Sequence, residues 1–148
     1  MTTIVAYKTD IAIKQLETAI DLFLNRGDYI CAITLAGASE EILGKMGEQE
    51  GKKSAHKSLI ESLTTKYNLT ISSKELSSKY LNFARNTLKH ANVTDEDKVE
   101  LDAQTEAISL IVRAIANLIK LDKSVSYNTP DFFDWLNKNR KELLIENS

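Results

Sequence analysis

Apolar positions recur along the chain at helical spacing, and no sustained alternation typical of a strand interrupts them. Ile13, Leu16, Ile20, Phe23 and Leu24 fall on one face of a first predicted helix. Thr9 or Asp10 is placed to cap it, and Arg26-Gly27 to end it. Asp28 is the predicted cap of a second helix running to about Met46, followed by the polar, glycine-containing loop GEQEGKKS. A third helix is expected over about 56–67. A fourth is expected over about 74–91, after Ser72-Ser73. Thr94 is the expected cap of a fifth, long helix reaching about Leu121. Thr129-Pro130 opens a last helix holding Phe132, Phe133, Trp135 and Leu136, since proline suits the first helical position. Helices joined by short links predict an all-α, antiparallel bundle of about five to six helices, one domain over 1–148.

The fifth helix carries the most apolar stretch, AISLIVRAIANLIKL. Ile108, Ile111, Ile115 and Leu118 form its stripe, and Leu110, Val112 and Ile119 widen it. A helix apolar over most of its circumference is buried in something, either this domain's core or a dimer interface. On the second helix, Glu40 lies within the apolar arc of Tyr29, Ala32, Ile33, Ala36 and Leu43. A carboxylate there is costly unless paired, and Arg113 or Arg85 are the candidate partners. Glu41 lies away from that arc, beside Thr34 and Lys45, where water reaches it. Ala36, Gly37 and Ala38 offer a small surface for close approach of a neighbour.

Composition narrows the class. The 148 residues are 43% hydrophobic and 27% charged, as in a globular domain large enough for one core. The formal net charge of −2 argues against non-specific coating of nucleic acid, while leaving room for a local basic patch. Cys31 is the single cysteine, so no internal disulfide forms and a zinc site built on cysteines is excluded. The opening MTTIVAYKTD lacks the layout of a signal peptide, and no apolar run approaches a membrane span, so a cytoplasmic location is expected.

Candidate chemistry concentrates in LNFARNTLKHAN, residues 81–92. Tyr80, Leu81, Ala84, Leu88 and Ala91 share an apolar face, while Asn82, Asn86 and His90 repeat every four residues on another. Arg85 sits at the edge of the apolar face, next to Lys89 one turn on. Leu76 to Thr94 contains no acidic residue but holds Lys79, Arg85, Lys89 and His90, a strip suited to phosphates. Arg85 and His90 point about 140° apart on a straight helix. One site formed from both therefore needs a swung arginine, a helix ending near His90, or two copies meeting across a dimer axis. The plainer alternative is a surface arginine paired with a carboxylate and a histidine interacting with the helix dipole.

RNTLKH, with Arg85, Asn86 and His90, resembles the motif of the HEPN superfamily: arginine, a polar residue, three variable residues, histidine. LAGASEEILGKM is similar to the second helix of a bacterial HEPN-like group. The resemblance implies a homodimer with facing motifs and a metal-independent endoribonuclease of toxin or phage-defence type. It also implies RNA or a nucleotide as ligand, no cofactor, and an antitoxin or nucleotidyltransferase as partner. In that reading His90 moves protons, Arg85 stabilises the phosphorane, and Asn86 orients either; Glu40, Lys89 and Lys79 support them. The acidic pI near 5.7 and the aromatic C-terminal helix depart from the pattern. A non-catalytic nucleotide- or partner-binding bundle and a structural dimeric scaffold are the alternatives.

Two lesser features stand beside the motif. Lys52, Lys53, His56 and Lys57 form a second basic cluster, read as a solvated loop or a phosphate contact. Trp135 with Phe132 and Phe133 either caps the core or stacks a base. His56 and His90 are too isolated to suggest a metal pair, and there is no Walker or dinucleotide-binding glycine motif.

Overall fold

A computed structural model of the chain describes residues 2–52 and 101–143. All regular structure among the described residues is helical, with no strand. Helix α1 spans Lys8–Asp21 and passes into a π-helical turn, Leu22–Arg26. Helix α2 spans Tyr29–Gln49, α3 Ala103–Lys120 and α4 Thr129–Asn139, with a short 3-10 turn at Lys141–Leu143. The helices expected over about 56–67 and 74–91 lie outside the described residues. So do Lys53, His56, Lys57, Lys79, Arg85, Asn86, Lys89, His90 and Thr94.

The first break follows local chemistry. Gly27 takes φ 62°, a left-handed conformation that glycine reaches without a Cβ penalty. Its N–H donates to the Leu22 carbonyl, and the Asp28 N–H reaches the same oxygen at 3.0 Å. Those bonds satisfy the exposed end of the helix and reverse the chain. Asp28 then caps α2, accepting from the Cys31 N–H at 3.0 Å. Helix α1 itself starts at Lys8, with extended Tyr7 before it and no side-chain cap, so neither Thr9 nor Asp10 caps it. Instead the Thr9 hydroxyl donates to Met46 Sδ at 3.7 Å.

Two boundaries differ from the sequence reading. Helix α2 continues to Gln49, three residues into the expected loop. Helix α3 begins after Asp102, whose carboxylate accepts from the Thr105 N–H at 3.1 Å and the Thr105 hydroxyl at 2.8 Å. A helix running unbroken from Thr94 is therefore corrected: an aspartate holding a threonine three residues on is a competent cap. The α3 C-terminus closes without glycine. Asp122 takes φ 56°, and the Lys123 N–H bonds back to the Leu118 carbonyl at 2.9 Å.

Polar contacts define the helix directions. Ser39 Oγ donates to the Ala12 carbonyl at 2.7 Å, and Thr9 meets Met46, so α1 and α2 are antiparallel. Gln104 Nε2 donates to the Tyr29 hydroxyl at 3.2 Å, and Lys52 Nζ donates to the Lys120 carbonyl at 2.7 Å. Helices α2 and α3 therefore run parallel. Asn128 Nδ2 bonds the Glu17 carbonyl at 3.0 Å, and the Arg140 guanidinium returns to Gln104 and Thr105, so α4 lies antiparallel to α3. The alternating order expected from short links applies to α1–α2 and α3–α4. Helices α2 and α3 are not consecutive in that reading: the stretch expected to hold the third and fourth helices separates them in sequence and lies outside the described residues.

Among the described residues the core is one contiguous cluster. Leu16, Ile20, Ile33, Leu43, Leu110, Ile111, Leu118, Phe132 and Leu136 are fully buried within it. Ile108 and Ile115 join it, whereas Ile119 faces outward at 60% exposure and Val112 is half-buried. The α3 stripe is thus domain core among the described residues, with Ile119 outside it.

Candidate functional site

The candidate site visible in the described residues is the α2–α3 contact. Helix α2 holds Ala32, Ala36, Gly37, Gly44 and Gly47 as buried small residues. Four polar side chains of α2 and α3 leave the water: Ser39, which donates to the Ala12 carbonyl of α1, and Glu40, Arg113 and Asn117, none more than 6% exposed. Asn117 Nδ2 donates to the Glu40 carbonyl oxygen at 3.4 Å, tying the two helices at that level.

Glu40 is where the apolar arc of α2 placed it, and its burial agrees with that reading. Arg113, which interrupts the apolar run of α3, is buried too, at 2% exposure. Both are engaged in interactions. Two turns before Arg113 on the same helix stands Glu106. Partial burial pushes its carboxyl above the ordinary value, the Arg113 guanidinium opposes that rise, and Asp102 adds to it. This is a carboxyl able to keep its proton to higher pH than a surface glutamate. Arg113 itself is too deep to meet a phosphate arriving from solvent.

A second polar group closes the opposite end of the pair, at the α3 N-terminus. Arg140 Nη1 donates to Gln104 Oε1 at 2.7 Å, Nη2 to Thr105 Oγ1 at 3.2 Å, and Nε to Glu142 Oε1 at 2.7 Å. Gln104 passes the chain on to Tyr29. These residues come from three parts of the sequence, and sequence reasoning missed them. No periodicity or motif links positions that meet only after folding.

Other predicted groups find structural roles. Lys52 caps α3 through the Lys120 carbonyl and lies 3.7 Å from Asp122, so its ammonium is occupied by a helix end. Glu41 makes an exposed ion pair with Lys45 at 3.6 Å. Phe132 is fully buried, and Phe23 packs against it with ring centroids 5.4 Å apart. Phe23 also meets Trp135 at 4.8 Å and Tyr29 at 5.0 Å, both edge-on or tilted. The aromatic group is therefore a core cap built around Phe23; Phe132 presents no face for base stacking. Cys31 is exposed, and the hydrogen bond and charge of Asp28 push its thiol up, away from the reactive thiolate.

Among the described residues no group of three His, Cys, Asp or Glu could hold a metal ion. No described helix is long and apolar enough to cross a membrane. Of the predicted site, Glu40 alone lies within the described residues; Lys79, Arg85, Asn86, Lys89 and His90 do not. Comparison of the chain with protein-family models, curated proteins and solved structures finds no match.

Proposed function

We propose that this chain is a HEPN-like bundle of five to six helices that acts as a homodimeric, metal-independent endoribonuclease of toxin or phage-defence type in the cytoplasm. The observation that carries the reading is RNTLKH, which puts Arg85, Asn86 and His90 in a strip free of acidic residues. The all-helical core of the described residues is compatible with it.

The chemistry is a transesterification within RNA. One imidazole removes the proton from the 2′-hydroxyl, and that oxygen attacks the adjacent phosphorus. The P–O5′ bond breaks as a second imidazolium, His90 of the other copy, gives its proton to the leaving oxygen. The Arg85 fork holds the charge on the phosphorane. The products are a 2′,3′-cyclic phosphate and a 5′-hydroxyl. An antitoxin or nucleotidyltransferase partner would act by covering this strip.

The test is RNA cleavage in EDTA by the wild type, His90→Ala and Arg85→Ala, with folding matched by circular dichroism. Cleavage by the wild type, reduced on the order of 100-fold or more in His90→Ala, supports the enzyme. No cleavage of a broad RNA set by any of the three overturns it. A thermal shift with nucleotides would then favour a binding bundle, and no shift a scaffold.

A further inference from the structure

We draw no further inference here: the strongest candidate, the extended apolar arm before α1 in which Ile4, Val5 and Tyr7 stand 79%, 97% and 78% exposed, carries nothing because nothing in the structure shows what covers it.

Discussion

Asp102 and Glu106 sit four residues apart at the start of α3 and respond to pH in opposite senses. The bonds from Thr105, and the nearby Arg140 charge, hold the Asp102 carboxyl below its ordinary 3.8. A group with a depressed folded pKa stabilises the fold above its unfolded value, and that contribution is lost as pH falls through the folded value. Asp102→Ala should cost about 1 kcal/mol at neutral pH, the usual worth of a cap, with the difference from wild type shrinking below pH 3.8. Glu106 is raised above its ordinary 4.5, chiefly by burial. Its contribution is full below 4.5 and is lost as pH climbs through the higher folded value. Glu106→Gln should therefore raise the melting temperature near neutrality and flatten its dependence on pH above 4.5. Thermal melts from pH 3 to 8 read both; a Glu106→Gln melt lying below wild type at pH 7 would contradict the burial argument. Glu40 was legible in the sequence because a carboxylate inside an apolar arc is a local anomaly. The Arg140–Gln104–Tyr29 chain was not, because each member is an ordinary residue on its own segment.

At the scale of the element, the ends of the helices matter more than their middles. Gly27 holds φ 62°, so Gly27→Ala should cost roughly 1 kcal/mol from the left-handed conformation alone. Space is not the issue, since a Cβ there would meet nothing within 4 Å. Urea unfolding at constant slope measures that cost. Phe132→Ala removes the ring that α4 buries against Phe23 and should cost about 3–5 kcal/mol, loosening α4 first. Hydrogen exchange showing α4 amides as protected as in the wild type would argue against this anchoring role. The Gly27 stop and the Asp28 cap were readable from type and order, because both act within three to six residues. The Asp122 stop was not: an aspartate taking the glycine position is permitted by sequence but not signalled by it. Likewise Thr94 looked like a cap equal to any other, and Asp102 is the cap observed at the start of α3.

For the whole molecule, the proposed reaction uses two copies, each supplying an Arg85 and a His90 to one cleft. Sedimentation equilibrium should give twice the 16.6 kDa chain mass at assay concentration. Arg85→Ala should abolish cleavage while leaving that mass unchanged. An active species sedimenting as a monomer would remove the two-motif mechanism. The direction of α3 belongs to this scale as well. Sequence pattern identifies a helix and its apolar side, but the pattern reads the same whichever way the helix runs beside its neighbour.

Taken by itself, the amino-acid sequence determined that the described chain is helical, where α1 gives way to α2, where α4 starts, and that the central stretch of α3 is buried. Each of these follows from local spacing or from contacts a few residues long. The tertiary structure decided that this stretch is buried in the domain's own core. It decided that α2 and α3 run parallel, that Arg113 is buried, and that Lys52 and Arg140 bind opposite ends of α3. It also decided that the aromatic residues of α4 close on Phe23. Those outcomes depend on which groups meet across 35 positions of chain, as Arg140 with Thr105, to 112, as Phe23 with Trp135, and a contact of that range leaves no periodic trace in the sequence.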